Sequence, residues 1–322
     1  MSDDSRSGAG SAVAGSAPSR SVHVRAPGKI NIFLAAGAVQ DDGYHPLATI
    51  FQAVSLYEDV YATPSDTITV SVRGVQPEQV PLDERNLAVK AAQLLARETG
   101  CTQGVHLQII KRVPVAGGMG GGSADAAAAL VACDELWGTG LGIAGLHPLA
   151  AQLGSDVPFA LVGGTAMGTG RGDRLTPVLA RGTYEWVLVH GEEGLSAPHI
   201  YARFDEAMAE QRVTADEPDS PLEVPRDVLQ ALASGDVAAL AEHMYNDLES
   251  PAIAEQPALA QTIADGCDEG ALAGIVSGSG PTVALLCRDR ADADRVARTL
   301  SDAGRQVMRA HGPVAGAQVI EA

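Results

Sequence analysis

A glycine-rich stretch at residues 111–126 contains the residue types that could bind a phosphate. Five of the six residues from Gly117 to Gly122 are glycine, and an alanine-rich run follows until Gly138. Glycine lets the backbone approach a ligand closely and adopt positive φ angles, so several amide N–H groups can face one anion. The alanine run predicts a helix capped by Ser123, whose dipole would direct positive potential into the loop. A phosphate cradle and a tight packing turn are both consistent with this stretch.

A charged side chain and an amide occur close together in a second segment. A turn is expected at residues 27–28, followed by a strand at residues 29–34. Lys29 and Asn31 would share one face of that strand, and the isoleucines next to them would face the other way. An ammonium and an amide on an otherwise apolar strand form a candidate site, although a surface strand would explain the same pattern.

An aromatic ring and an imidazole are adjacent in residues 41–46, which have the composition of a turn. Tyr44 could stack on a ligand ring, and His45 could hydrogen-bond a base. A hairpin turn with an exposed tyrosine is the alternative explanation.

A single carboxylate, Asp156, lies between a glycine turn and the apolar sequence Val-Pro-Phe. This environment limits hydration, so the charge requires a cation or a hydroxyl as its partner. An aspartate at such a position would also suit the N-cap of a helix.

The composition indicates a globular chain, since its 322 residues are 46% hydrophobic and suffice for two domains. The net charge of −18 opposes nonspecific binding of nucleic acid, so a local positive site must hold any anionic ligand. Lys111 and Arg112 beside the glycine loop are candidates for that site. No apolar run could span a bilayer and residues 1–20 do not resemble a signal peptide, so a cytoplasmic protein without a membrane partner is expected. The four cysteines are too scattered for a zinc site or a disulfide framework.

The elements that must position these residues are strands and helices without a regular βαβ alternation. This pattern predicts a two-domain α+β architecture, with a flexible tail at residues 1–20, an N-terminal domain at 21–181 and a C-terminal domain at 182–322. An acidic linker is expected at residues 214–225. Strands are predicted at residues 22–24, 29–34, 50–61, 67–72, 105–110, 163–172 (ending in a turn), 185–190, 274–286 (interrupted by a glycine turn) and 317–320. Helices are predicted at residues 86–99, 123–137, 146–153, 197–210, 225–245, 257–269 and 291–303.

Three motifs together resemble those of the GHMP kinase superfamily. They are Pro27-Gly28-Lys29-Ile30-Asn31, the glycine stretch within Val113–Ala126, and Gly278-Ser279-Gly280-Pro281. Two further segments, residues 42–45 and 153–159, are similar to the members that phosphorylate 4-diphosphocytidyl-2-C-methyl-D-erythritol. The similarity runs from about Val22 to the C-terminus. Gly28 replaces a more usual alanine and Ala116 a more usual glycine, and both substitutions keep a small side chain.

The resemblance implies a GHMP kinase fold with the active site in the cleft between its two domains. It also implies transfer of the ATP γ-phosphoryl group to the 2-hydroxyl of that substrate, in the methylerythritol phosphate route to isoprenoids. Lys29 and Asp156 match the catalytic pair of the family. Asp156 would accept or orient the hydroxyl proton. Lys29 would keep Asp156 ionised and offset charge on the transferring group. By the same resemblance, Asn31, Tyr44 and His45 would hold the cytidine end.

The resemblance assigns the nucleotide to the glycine loop. The implied ATP-binding residues are Pro114, Val115, Ala116, Gly117, Gly118, Met119, Gly120, Gly121, Gly122 and Ser123. Mg²⁺ would bridge the phosphates, with the Ser123 hydroxyl as a candidate metal ligand. The chain is expected to act as a monomer or a weak homodimer.

Other functions must be distinguished from this one. A GHMP kinase acting on mevalonate or homoserine would share the glycine loop but would not need residues 42–45. A noncatalytic binding protein is disfavoured because both Lys29 and Asp156 are present. A dinucleotide-dependent oxidoreductase would need a glycine where Ser123 stands. The chain also lacks the Gly-Lys-Ser/Thr ending of a P-loop kinase and the signature triplets of a protein kinase.

Overall fold

The computed structural model describes residues 21–191, 193–212 and 222–322. The predicted tail at residues 1–20 lies outside these ranges, as does most of the predicted linker. The strands are β1 (Val22–Ala36), β2 (Leu47–Ser65), β3 (Thr69–Gly74), β4 (Gly104–Lys111), β5 (Thr165–Gly170), β6 (Arg174–Pro177), β7 (Tyr184–His190), β8 (Tyr245–Asn246), β9 (Ala273–Val276), β10 (Val283–Cys287), β11 (Gln306–Gly312) and β12 (Gln318–Glu321). The helices are α1 (Leu87–Thr99), α2 (Gly121–Trp137), α3 (Gly142–Leu153), α4 (Val157–Val162), α5 (Ala197–Arg212), α6 (Arg226–Ser234), α7 (Val237–Glu242), α8 (Glu249–Glu255), α9 (Ala258–Asp268) and α10 (Arg290–Asp302). No helix in the described part of the chain is long and apolar enough to cross a bilayer.

The larger sheet is built around the long antiparallel pair β1 and β2. Its strand order is β12-β1-β2-β4-β3, with β5 and β6 extending from β2 and β8 pairing with β1. Strands β8 and β12 come from the predicted C-terminal domain, yet both add to the sheet of the N-terminal one. The chain therefore returns to the first sheet twice, and the boundary at residue 181 stays a prediction.

Strand β1 contains two irregularities that shape the candidate site. The turn predicted at residues 27–28 is wrong, because the strand continues there through a shift of register. A second shift lies between Asn31 and Phe33. Such bulges bend a strand and redirect its side chains. Lys29 and Asn31 project together, as expected from their spacing, and their side chains are hydrogen-bonded at 2.7 Å.

The first core lies between the larger sheet and helices α1 to α4. Apolar strand residues such as Val60 and Leu107 pack there against the alanines of α2. Residues 126–129 of that helix are alanine and fully buried, and their small side chains let it lie close to α1, β1 and β2. A helix that is apolar on all sides belongs in a core, so the glycine loop before it is fixed to the interior.

A second, four-stranded sheet has the order β11-β7-β10-β9. One of its faces joins the larger sheet through a core that contains Ile32 and Trp186. The Trp186 indole N–H also donates to Gln52 Oε1 at 2.9 Å. The other face packs against residues of α5, α8, α9 and α10. The two sheets are therefore linked by shared apolar packing and by a buried hydrogen bond.

The helix predicted at residues 225–245 is two helices and a short strand. Gly235 ends α6 with φ of 75°, and the Asp236 side chain caps α7 by accepting from Ala239 N at 3.0 Å. Glycine after a helix and aspartate before one are ordinary stop and start signals, so the sequence contained the break. The remaining predicted elements are present, with their ends shifted by up to four residues.

Candidate active site

The glycine loop joins the buried strand β4 to helix α2. Gly118 and Gly120 have φ angles of 74° and 68°, in the left-handed region that favours glycine. Ala116 has φ of 53°, so the alanine at this position carries strain of about 1 kcal/mol. The N-cap of α2 is Gly120 and no side chain caps the helix, so the prediction that Ser123 caps it is wrong. Ser123 lies in the first turn, where amide N–H groups have no intrahelical partners.

Three successive carbonyl groups of the loop accept hydrogen bonds from distant segments. The bonds join Gly117 O to Thr282 N (3.3 Å), Gly118 O to Ser277 Oγ (3.2 Å) and Met119 O to Lys29 N (2.9 Å). Two of these donors flank the C-terminal glycine motif and the third is on β1. The loop is therefore held in one conformation by both sheets, with these carbonyl oxygens bonded to the protein.

The cations next to the loop are paired with carboxylates. The Lys111 ammonium is buried and lies 2.7 Å from both Glu58 Oε1 and Asp125 Oδ2. The Arg112 guanidinium is paired with Asp59. Buried carboxylates on β2 and α2 pair with both cations, so the expectation that these two residues supply the local positive charge stays a prediction.

Burial favours the protonated form of the two carboxyls around Lys111. Burial, followed by the nearby Asp125 charge, raises the pKa of Glu58 to about 8, and burial also raises the pKa of Asp125. Glu58 accepts hydrogen bonds from the backbone N–H groups of Arg112 and Val113 as well as from Lys111, whereas Asp125 Oδ1 has no partner. When one of the two carboxyls is protonated, we expect the proton on Asp125, since three donors favour the charged form of Glu58.

Replacing Asp125 by asparagine should remove a pH dependence of stability. Burial raises the pKa of Asp125 in the folded protein. Its protonated form therefore stabilises the protein fully below the unfolded-state pKa of about 4, and this contribution is lost as the pH rises through the raised pKa. The wild-type free energy of unfolding should fall relative to that of the variant by about 1 kcal/mol or more across this range. Urea unfolding at several pH values measures the difference. D302N, the same change at an exposed aspartate, should run parallel to the wild type; parallel curves for D125N would contradict the assignment.

Lys29 and Asp156 form an ion pair beside the loop. Lys29 Nζ lies 3.7 Å from Asp156 Oδ2, and the side chains are 10% and 29% exposed. Asp156 stands at the N-cap position of α4, as the alternative explanation predicted, but its carboxylate makes no capping hydrogen bond. An added Cβ at Gly120 would lie 3.3 Å from Lys29 Cγ and 3.7 Å from Asp156 Oδ2. Glycine therefore lets the loop pass directly over the pair.

Two cavities adjoin the glycine loop. The larger, of about 730 Å³, is lined by Lys29 and Asp156 and by residues from the second half of the chain such as Ser279. The smaller, of about 340 Å³, is lined by loop residues 114–118 and 120–123 together with residues 79–81 and 85–87, Lys111 and Asp125. Ala116, Gly118 and Gly120 line both cavities. The loop thus separates one cavity that contains the ion pair from another that contains the start of helix α2.

The far end of the larger cavity contains the predicted aromatic and imidazole groups. His45 Nε2 lies 2.9 Å from Asp205 Oδ1, and the imidazole stacks on the Tyr201 ring at a centroid distance of 4.7 Å. The Tyr44 side chain is 54% exposed, and the Arg171 guanidinium lies 3.9 Å from its ring centroid. All five residues line the same cavity as Lys29.

Several polar side chains that line these cavities were not predicted from the sequence. Tyr201 and Asp205 lie on α5, and Arg171 follows β5, all in the larger cavity, whereas Arg85 lines the smaller one. Burial and the nearby Asp156 charge raise the pKa of the Tyr201 phenol. The sequence around Tyr201 shows only an ordinary helix, so only the tertiary fold brings it to the site.

Comparison with known proteins identifies the family. The model of the GHMP kinases N terminal domain matches residues 86–164, and that of the GHMP kinases C terminal matches residues 228–306. The chain belongs to the GHMP kinases. A protein of Leifsonia xyli subsp. xyli named 4-diphosphocytidyl-2-C-methyl-D-erythritol kinase is 56% identical over 93% of this chain and 98% of its own length. A protein of the same name from Clavibacter michiganensis subsp. michiganensis is 53% identical over 93% of this chain and 96% of its own length.

Solved structures confirm the two-domain α+β fold expected from the sequence. A crystal structure of 4-(cytidine 5'-diphospho)-2C-methyl-D-erythritol kinase has a TM-score of 0.71 at 30% identity, covering 90% of this chain and 98% of that one. A homoserine kinase from Cytophaga hutchinsonii has a TM-score of 0.72 at 17% identity, covering 96% and 100%. The fold is thus similar in kinases named for different substrates, so the fold alone does not identify the substrate. The two structures differ in their sequence identity to this chain, which is 30% and 17%.

Proposed function

We propose that this chain transfers the γ-phosphoryl group of ATP to the 2-hydroxyl of 4-diphosphocytidyl-2-C-methyl-D-erythritol. The product would be the 2-phosphate, formed with ADP in the cytoplasmic methylerythritol phosphate route to isoprenoids by a monomer or a weak homodimer. The position of the Lys29–Asp156 pair carries the proposal, since it lies beside a loop shared by two cavities. The names of relatives up to 56% identical support the same substrate.

ATP would occupy the smaller cavity, with its phosphates at the N-terminus of α2. Amide N–H groups at the start of α2 and the positive end of its dipole favour an anion there. The loop carbonyls bonded to Lys29, Ser277 and Thr282 leave the backbone no freedom to turn an oxygen toward the phosphates without breaking those bonds. The loop residues from Pro114 to Ser123 would therefore bind the nucleotide mainly through the backbone.

The acceptor hydroxyl would lie beside Asp156. As the hydroxyl oxygen bonds to the γ-phosphorus, the bond from that phosphorus to the β–γ bridging oxygen breaks, and ADP leaves with the electron pair. The hydroxyl proton passes to an Asp156 carboxylate oxygen. The Lys29 ammonium, 3.7 Å from that carboxylate, offsets negative charge on the transferring group.

The cytidine end of the substrate would occupy the part of the cavity near α5. Asp205 holds the His45 ring in place, so that its remaining polar edge can read the base. Tyr44 is exposed enough to stack on the pyrimidine ring. Asn31 lines the same cavity and would contact the substrate, although its amide is already bonded to Lys29 and Thr49.

Mg²⁺ would accompany the nucleotide. The described part of the chain contains no cluster of three or more His, Cys, Asp or Glu side chains that could hold a metal. This fits Mg²⁺, which usually keeps several waters and binds substrate phosphates with one or two protein oxygens. The partly exposed Ser123 hydroxyl lines the smaller cavity and could supply one of them. When bound, the ion would neutralise charge on the phosphates.

An ADP-release assay with three acceptors tests the proposal. With ATP and Mg²⁺, the wild type should turn over 4-diphosphocytidyl-2-C-methyl-D-erythritol with kcat/KM at least a thousandfold above the values for homoserine and mevalonate. The physical reason is that a site whose polar and aromatic groups bind a cytosine base leaves those groups without partners when the acceptor has no base. A reaction without acceptor corrects for ATP hydrolysis. Comparable rates with homoserine or mevalonate, or no rate with the cytidyl compound, would overturn the assignment.

A further inference from the structure

Beneath the ion pair lies a threonine hydroxyl that is fully buried. Thr49 on β2 is 0% exposed, and its hydroxyl donates to the Phe33 carbonyl at 2.6 Å. The same oxygen accepts a hydrogen bond from Asn31 Nδ2 at 2.8 Å. Both partners lie on β1, next to the shift of register between Asn31 and Phe33. The hydroxyl therefore joins the two strands at the irregularity from which Asn31 projects.

The direction of these bonds is fixed by chemistry. A carbonyl oxygen can only accept, so the single hydroxyl proton of Thr49 goes to Phe33 and its oxygen is left as an acceptor. That oxygen can be matched only by the NH₂ end of the Asn31 amide. The opposite end, Oδ1, must then face the Lys29 ammonium, which donates to it at 2.7 Å. If the Asn31 amide were flipped, its NH₂ group would face the Lys29 ammonium, so that two donors would meet. Its Oδ1 would face the Thr49 oxygen, so that two acceptors would meet.

We infer that Thr49 is a positioning residue for phosphoryl transfer, acting through Asn31 on the Lys29 ammonium. This inference rests on the proposed function, which gives Lys29 and Asp156 their roles. Lys29 Nζ is 2.7 Å from Asn31 Oδ1 but 3.7 Å from Asp156 Oδ2, so the amide is the nearer of its two oxygen partners. The hydrogen-bonded amide holds the ammonium in place, and the carboxylate is left available to the acceptor hydroxyl.

Loss of the hydroxyl would release this arrangement. Asn31 is 1% exposed, so its NH₂ group would have no water to replace the Thr49 oxygen. The amide could then rotate, and the ammonium would lose its fixed acceptor and move toward Asp156. Displacement of a catalytic group by about 1 Å can reduce a rate by about a hundredfold. Valine matches the shape of threonine without its hydroxyl, which makes T49V the direct test.

Steady-state kinetics on three variants test the inference. T49V should lower kcat by about tenfold to a hundredfold and change KM for ATP by less than threefold. T49S restores the hydroxyl and should recover at least a third of the wild-type kcat. T165V is the matched control, because Thr165 is a buried strand threonine whose hydroxyl also accepts from an amide, that of Gln52 at 3.3 Å. Its kcat should stay within threefold of the wild type. Thermal melts of each variant verify folding, and T49A replaces T49V if the valine does not fit.

A double-variant comparison separates positioning from a general structural effect. In a K29M background, T49V should lower the residual kcat by less than twofold, because the group through which Thr49 acts is gone. A T49V kcat within twofold of the wild type, or the same loss in both backgrounds, would overturn the inference.

A second measurement is independent of turnover. Acetylation of Lys29, quantified by mass spectrometry, should be several times slower in T49V than in the wild type, since the ammonium moves toward the Asp156 carboxylate, which favours its charged, unreactive form. Equal rates would contradict the inference even if the wild type phosphorylates none of the acceptors. Failure of the proposed function is therefore distinguishable from failure of the positioning role.

Discussion

Replacing Asp156 by asparagine is expected to lower kcat with the cytidyl substrate by at least a hundredfold. Asparagine keeps the size of the side chain but can neither take a proton nor carry the charge that pairs with Lys29 at 3.7 Å. Proton transfer by a positioned side chain typically contributes about 10²–10⁴ to a rate. The KM for ATP should change by less than threefold, because Asp156 lines the larger cavity and not the smaller one. Initial rates of ADP release at saturating and subsaturating substrate measure both constants.

A second carboxylate in the same cavity provides the control. Asp205 Oδ1 accepts a hydrogen bond from His45 Nε2 at 2.9 Å, and its carboxylate does not pair with Lys29. D205N should therefore raise KM for the cytidyl substrate by about tenfold while kcat falls by less than threefold. If D156N kept kcat within threefold of the wild type, Asp156 would not be the proton acceptor. A large fall of kcat in D205N would indicate that the reacting hydroxyl lies near Asp205 and not beside Asp156.

The residues of the reacting centre were predictable from the sequence because each of them belongs to a short contiguous motif. The glycine loop, Lys29 and Asp156 each belong to a short motif whose residues lie next to one another in the chain. The loop is followed directly by α2, so its place at a helix N-terminus follows from connectivity alone. The distance of 3.7 Å between Lys29 and Asp156 does not follow in this way, since 126 residues separate them and the fold brings them together.

The surroundings of the site were not predictable for the same reason. Lys111 looks like a free cation beside the loop, and only the packing of β2 against α2 shows that Glu58 and Asp125 neutralise it. His45 and Asp205 are separated by 160 positions, and no periodicity in α5 marks the aspartate. Pairing choices of this kind depend on strand register and helix packing, which a single sequence does not specify.

Replacing Gly118 by alanine is expected to disrupt the link between the glycine loop and the second sheet. An added Cβ would lie 2.1 Å from the Ser277 carbonyl oxygen and 3.0 Å from Gly280 N, so backbone would have to move. The positive φ of 74° adds about 1 kcal/mol of strain for alanine. Together these effects should lower the free energy of unfolding by about 3 kcal/mol or more. They should also weaken ATP binding by at least tenfold, because the phosphate-facing backbone shifts with the loop. Urea unfolding and a nucleotide-binding isotherm measure the two quantities.

Gly164 separates the clash from the strain. Its φ is 73°, almost that of Gly118, but an added Cβ would meet no atom within 4 Å. G164A should therefore lose only about 1 kcal/mol of stability and bind ATP as the wild type does. Equal losses in the two variants would show that backbone strain alone sets the requirement for glycine at residue 118. A larger loss in G118A, with weaker ATP binding, would show that the loop must be in direct backbone contact with the C-terminal glycine motif to hold the nucleotide. The two halves of the chain would then build one phosphate site, because that contact joins the loop after β4 to the turn before β10.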